Sequence, residues 1–186
     1  MEINSRALRA AEKIKLIIFD VDGVLTDGGI YIGANGELFK PFYCRDGLAI
    51  TLAHKQGLQT AIITGRKSAQ VEFRAQELKI SHVFQGNSDK RGAYQELKKL
   101  TGLQDEEIAY IGDDLIDLPI MLQVGLPMAV ADAVAEVRSR ALVVSGFAGG
   151  RGAVRELLEF IFKAQGRWEQ IMADFITPQD NTNLAQ

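Results

Sequence analysis

A chain of 186 residues, 47% hydrophobic and 24% charged, has the material for one globular core and about one domain. Its net charge of −3, with basic and acidic residues interleaved, excludes a nucleic-acid surface, and its single cysteine, Cys44, excludes an intrachain disulfide and favours a reducing compartment. The start, MEINSRALRAAEKIK, has no apolar leader and no apolar run reaches membrane-spanning length, so a cytoplasmic protein with no membrane partner is expected.

The first predicted strand is KLIIF (15–19), and it stops on two acids within IIFDVDGVLTDGG (17–29). Asp20 and Asp22 are either an ordinary acidic turn or a pair of carboxylates set to hold a divalent cation and attack a substrate. Next comes GIYIGANGELFKPF (29–42), in which Asn35-Gly36 between two β-prone arms predicts a hairpin. A helix is predicted over 46–56, then the strand QTAIIT (59–64), which runs into Gly65 and Arg66. A helix over 67–79, the strand HVFQG (82–86) and a helix over 89–100 follow, with Lys90 near the start of the last. EIAYIG (107–112) leads into GDDLID, which carries Asp113, Asp114 and Asp117. The remaining strands are PMAVA (127–131) and ALVVS (141–145), and the remaining helices cover 115–123, 133–139 and 152–165.

Short runs that are apolar on both faces suit the middle of a parallel sheet. Their alternation with helices predicts an α/β fold of three layers, Rossmann-like, with the hairpin as a short insertion after the first strand. Residues 1–166 make one domain in this reading. Residues 167–186 make a tail whose polar end, TPQDNTNLAQ, is mobile.

Asp20 and Asp22, Thr64-Gly65-Arg66, Lys90 and the GDDLID acids fall at the carboxyl ends of predicted strands or the starts of the helices after them. Taken singly, each has an ordinary explanation as a turn, a helix start, a surface lysine or a helix cap. Together they suit phosphoryl transfer, because a carboxylate attacking a phosphate ester needs a shared cation to offset anion repulsion. Asp20 is the candidate nucleophile, and Asp22 the acid that protonates the leaving alkoxide and then activates water. Asp20, Asp22 through its carbonyl, and Asp113 are candidate Mg²⁺ ligands, with Asp114 and Asp117 acting through water or by orienting those ligands. Thr64, the Gly65 amide and Lys90 are placed to hold the phosphoryl oxygens. Arg66 and Arg74, eight residues apart on one predicted helix, and Arg45 at the hairpin exit offer guanidinium forks for a sugar-acid carboxylate.

DVDGVLTDG, IITGR, Lys90 and GDDLID resemble the four motifs of the haloacid dehalogenase superfamily of phosphatases. FKPFYCRDG (39–47), GDDLIDLP (112–119), AVADA (129–133) and GGRGAVREL (149–157) extend the resemblance to one family, the 3-deoxy-D-manno-octulosonate 8-phosphate (KDO 8-phosphate) phosphatases, over about residues 14–166. The resemblance implies a Mg²⁺-dependent enzyme without a cap domain, a homotetramer, and a sugar-acid phosphate substrate from the pathway to the KDO of lipopolysaccharide. It implies Mg²⁺ ligation by Asp20, Asp22 and Asp113. It also implies substrate contacts at Tyr43, Cys44, Arg45, Asp46, Gly47, Thr51, Arg66, Arg74 and Lys90. Cys44 stands where a small apolar residue is expected and is read as a small buried hydrophobe.

A receiver domain combines similar residues, but there the acidic pair comes first and the phosphoacceptor later; the order here excludes it. A non-catalytic scaffold on the same fold and a phosphatase for a related nonulosonate, such as KDN 9-phosphate, stay open. With no cap, the pocket needs a wall from elsewhere. Packed hairpins in a tetramer, and the segment GRWEQIMADF (166–175) laid over a neighbour's pocket with Arg167 or Trp168 in contact, are expected to supply it.

Overall fold

The computed structural model describes residues 5–86 and 89–177; the expected mobile tip from Pro178 onward lies outside them. Elements run α1 (Ser5–Glu12), β1 (Leu16–Phe19), β2 (Tyr31–Gly33), β3 (Gly36–Phe39), α2 (Cys44–Lys55), β4 (Gln59–Ile63), α3 (Ala69–Glu77), β5 (His82–Phe84) and α4 (Lys90–Thr101). Then come β6 (Ile108–Gly112), α5 (Leu118–Met121), β7 (Leu126–Ala129), α6 (Ala135–Arg138), β8 (Val143–Val144), α7 (Ala153–Ala164) and α8 (Trp168–Ile176). The α/β reading holds: six parallel strands lie in the order β5-β4-β1-β6-β7-β8, flanked by helices.

β1 sits in the middle of the sheet because nothing in LIIF is polar, and all four residues are buried. Its register aligns Phe19 with Ile62 on one side and Ile111 on the other. The residues just past the ends of β1, β4 and β6 therefore emerge together. The chain leaves β1 toward neighbours on opposite sides, which is the switch point where open α/β sheets bind ligands. α7 packs on α1 and α2, while α4 packs on α5. The amphipathic α7 buries Leu157, Leu158, Phe160, Ile161 and Phe162.

The hairpin forms, but its turn is shifted by one residue. Ala34 and Asn35 occupy the turn, Gly33 pairs with Gly36, and the positive φ (107°) falls on Gly36. Asn35 is thus spared the left-handed conformation, and a register shift between Tyr31 and Ile32 absorbs the extra residue. Only the hairpin and α2 separate β1 from β4, and only α3, β5, α4 and a 3₁₀ turn (Asp105–Glu107) lie between β4 and β6, so no cap domain is present among the described residues. Two elements go beyond the predicted set. α1 docks through Ala7 and Ala11, whose small side chains make a weak apolar stripe. α8 packs on α7 through the buried Ile171.

Candidate active site

The floor of the switch point is a buried charge network. Asp20 follows β1, and its backbone N–H donates to the Ile111 carbonyl at 3.1 Å. The Lys90 ammonium, at the first residue of α4, pairs with Asp20 Oδ1 at 2.8 Å and Asp117 Oδ1 at 2.6 Å, and donates to the Tyr110 hydroxyl at 3.1 Å. Tyr110 itself donates to Asp117 Oδ1 at 2.6 Å. The other Asp117 oxygen accepts from the backbone N–H groups of Asp113 (2.8 Å) and Asp114 (3.2 Å), which fixes the turn after β6. Lys90 and Asp117 are wholly buried, so each depends on the other for compensation.

Burial pushes the Asp20 carboxyl up to about 6, with Lys90 opposing and Asp117 reinforcing the rise. For Lys90, burial acts to lower the pKa, but the Asp20 and Asp117 carboxylates outweigh it and the ammonium is held above its ordinary value. Asp113 rises to about 8, first from burial and then from the negative charges of Asp20, Asp117 and Asp114.

These carboxylates lie close enough together to hold a cation. One oxygen from each of Asp20, Asp113 and Asp117 lies within 4.8 Å of the others. Asp113 Oδ1 is buried with no hydrogen-bond partner among the described residues, whereas both Asp117 oxygens are already satisfied. An orphaned anionic oxygen beside a second carboxylate is what a hard divalent cation would relieve. Gly23, with φ of 94°, leaves the room this needs, since a Cβ there would overlap the Asp113 carboxylate. Asp114 is exposed and caps the short turn after β6 by accepting from Leu115 N at 2.7 Å.

Above the floor lies a looser rim. Thr64 is buried at the end of β4, where its N–H donates to the Phe84 carbonyl at 2.9 Å, and the partly buried Gly65 follows. Asp22 turns away from the floor: its carboxylate accepts from Lys40 and lies 3.6 Å from the Arg66 Nε. A groove of about 670 Å³ runs beside this rim, lined by Phe39, Lys40, Phe42, Cys44, Phe73 and Arg74 among others.

Comparison with known proteins agrees with this geometry. Residues 80–157 match the family model described as haloacid dehalogenase-like hydrolase. Over 168 residues the chain is 47% identical to the 3-deoxy-D-manno-octulosonate 8-phosphate phosphatase of Escherichia coli K12, covering 90% of this chain and 89% of that one. The Yersinia pestis enzyme of the same name is 49% identical over 162 residues, 87% of each chain. The Moraxella catarrhalis 3-deoxy-D-manno-octulosonate 8-phosphate phosphatase, solved with magnesium, phosphate and KDO, superposes with a TM-score of 0.88 at 41% identity, over 91% of this chain and 97% of that one. The chain belongs to the KDO 8-phosphate phosphatase family.

Of the residues expected to contact substrate, the structure gathers some and redirects others. Gly47 and Arg74 meet: a Cβ on Gly47 would overlap the Arg74 guanidinium, which also pairs with Glu77 and lies 6.0 Å from the Phe42 ring centre. Arg66 does not share a helix face with Arg74, because α3 begins only at Ala69 and leaves Arg66 on the preceding bend. Asp46 turns into the fold, accepting from the backbone N–H groups of Gly152 (3.4 Å) and Arg155 (2.8 Å) at the start of α7. Burial nevertheless raises its pKa. Thr51 donates to the Gly47 carbonyl one helical turn back, at 3.1 Å. Tyr43 precedes α2 with the exposed Arg45 5.9 Å from its ring centre. Cys44, read as buried, is exposed at the first residue of α2 and lines the groove.

Within one copy, the start of the C-terminal segment is held by its own chain. Arg167 donates to the Gln56 carbonyl, and the Trp168 ring lies beneath Arg155 (5.7 Å) and Lys163 (5.1 Å) of its own chain. Sequence reasoning missed three residues. Tyr110 is an inward position of β6 with a polar tip. Glu37 and Lys40 form an i,i+3 pair at the end of the hairpin that reads as ordinary surface charge until the fold buries it.

Proposed function

We propose that this chain hydrolyses KDO 8-phosphate to KDO and inorganic phosphate through a phosphorylated Asp20. The observation that carries this reading is the Asp20 carboxylate, buried, ion-paired to Lys90 and set beside the orphaned Asp113 oxygen at the switch point. Asp20 attacks phosphorus as the ester P–O bond breaks, and Asp22 delivers a proton to the departing sugar oxygen. Asp22 then takes a proton from the water that hydrolyses the acyl phosphate, which regenerates Asp20. Lys90 offsets the burial that would otherwise protonate Asp20, and it keeps the nucleophile aimed. Thr64 and the Gly65 amide receive the phosphoryl oxygens.

Mg²⁺ fits the site, with Asp20, the Asp22 carbonyl and Asp113 to hold it. Bound there, it supplies positive charge shared by nucleophile and phosphate. Asp117, satisfied by Lys90, Tyr110 and two backbone amides, orients the Asp113 turn, and Asp114 caps it. Arg66 and Arg74 answer the sugar-acid carboxylate, with Tyr43, Cys44, Arg45, Gly47 and Thr51 shaping the wall behind it. A homotetramer belongs to the same reading, supported by the exposed hairpin side chains Ile32 (75%) and Leu38 (63%) in a chain with no cap. A cytoplasmic setting suits the exposed free thiol of Cys44.

The test is phosphate release with and without Mg²⁺ from KDO 8-phosphate, KDN 9-phosphate and p-nitrophenyl phosphate. We expect the first to dominate in kcat/KM, chelation to stop all turnover, and Asp20→Asn to be inert yet folded. Preference for KDN 9-phosphate would move the assignment to that sugar. An active Asp20→Asn enzyme would overturn the mechanism.

A further inference from the structure

Lys40 has no part in the chemistry above, yet its side chain is 1% exposed, and it binds two carboxylates. It donates to Asp22 Oδ1 and pairs with Glu37 Oε1 at 3.0 Å. Glu37 in turn accepts from the hydroxyl of Ser68, the residue before α3, so the lysine is tied through the hairpin to the body of the fold. Arg66 approaches the same two carboxylates at 3.6 Å each but is 45% exposed.

This matters because the two catalytic carboxylates are held so differently. Asp20 is locked by Lys90 inside the sheet. Asp22 shares no hydrogen bond or ion pair with that network; its side-chain polar partners among the described residues are Lys40 and Arg66. Burying an ammonium is costly unless it is paired, and one that sits between a catalytic acid and a framework glutamate fixes where that acid points. Arg66, half in solvent, holds Asp22 far less firmly.

We propose that Lys40 is the positioning residue for the Asp22 carboxylate, anchored by Glu37, so that the hairpin sets the proton-transfer geometry of the site. The inference rests on the reading of Asp22 as the general acid. Lys40 makes no bond to phosphorus and gives up no proton. It holds Asp22 where the leaving oxygen will be, and the Asp22 proton goes to that oxygen as the ester bond breaks.

A general acid matters most when the leaving group is a poor one. An alkoxide needs a proton, whereas p-nitrophenolate leaves without one. Glycerol 1-phosphate and p-nitrophenyl phosphate both lack the sugar acid, so neither reports on its binding pocket. kcat/KM covers steps only through release of the alcohol, which excludes the later use of Asp22 as a base. With saturating Mg²⁺, Asp22→Asn and Lys40→Met should each lower kcat/KM for glycerol 1-phosphate on the order of 10²-fold more than that for p-nitrophenyl phosphate. Lys40→Arg should recover most of the loss. Glu37→Gln, which keeps the ammonium but loosens its anchor, should show a smaller loss of the same kind, and it decides the matter if Lys40→Met fails to fold. Equal losses on both esters in Lys40→Met or Glu37→Gln, with Asp22→Asn still selective for the alkyl ester, would make Lys40 only an anchor of the hairpin and sink the proposal. If Asp22→Asn shows no dependence on the leaving group, the general-acid reading fails, and the role of Lys40 fails with it.

Discussion

The floor and the rim of the site sit next to each other yet are built on opposite principles. In the floor, Lys90, Asp117 and Tyr110 are fully buried and satisfy one another, with Asp113 Oδ1 as the open position. In the rim, Arg66, Cys44 and the hairpin face solvent, and apolar side chains such as Ile32, Leu38 and Phe73 stay exposed among the described residues. The floor is complete in one copy and suits chemistry common to many phosphate esters. In the proposed reading, the rim is where one ester is told from another, and a neighbouring copy covers its apolar side chains. Reaction and selection should therefore respond separately to mutation.

The largest expected effect is in the floor. Lys90→Met leaves Asp20 and Asp117 buried without their cation, which should cost about 3–5 kcal/mol of stability. Turnover should fall on the order of 10²–10³-fold on every substrate alike. Calorimetry and a substrate panel check this; a loss confined to the sugar phosphate would break the division between floor and rim.

The rim should behave in the reverse way. Arg74→Ala should raise KM for KDO 8-phosphate about tenfold or more, the value of a charge-assisted hydrogen bond, and leave p-nitrophenyl phosphate nearly unchanged. Gly47→Ala should follow in weaker form, because its methyl group would push the Arg74 guanidinium aside. Matching losses on both esters would assign Arg74 to the phosphate or to the fold.

A pH series sharpens the floor itself. Burial, reinforced by neighbouring carboxylates, raises Asp20 to about 6 and Asp113 to about 8, so the folded protein keeps protons that the unfolded chain releases near pH 4. The stability tied to these groups is complete below that value and is lost as pH climbs toward 8 in metal-free protein. Thermal melts in chelator should show the decline, and Asp113→Asn should flatten it. Mg²⁺ should raise Tm more at pH 8 than at pH 5, since its ligands must be deprotonated. An equal Mg²⁺ shift at both values would argue against this cluster as the metal site.

The smallest effect on folding is expected in the hairpin. Ile32→Ser with Leu38→Ser should alter monomer stability by only about 0.5 kcal/mol, as exposed positions do. Sedimentation should nevertheless show loss of the proposed tetramer, and selectivity for the sugar phosphate should fall while Mg²⁺-dependent turnover of p-nitrophenyl phosphate survives. An unchanged tetramer would remove the hairpin from the interface.

The sequence by itself determined the sheet and the reacting edge. Strand periodicity is local, and in a parallel sheet every strand end faces the same way, so DVD, TGR and GDD had to converge once KLIIF, QTAIIT and EIAYIG were strands. Tertiary structure alone decided which charges meet there. Asp117 is held by Lys90 from 27 residues away, and Asp46 is taken up by the start of α7 more than 100 residues on. Lys40 reaches Asp22 across the hairpin. No periodicity encodes such pairings: whether a carboxylate becomes a ligand, a cap or a general acid depends on how much water packing leaves it and which donor packing brings to it.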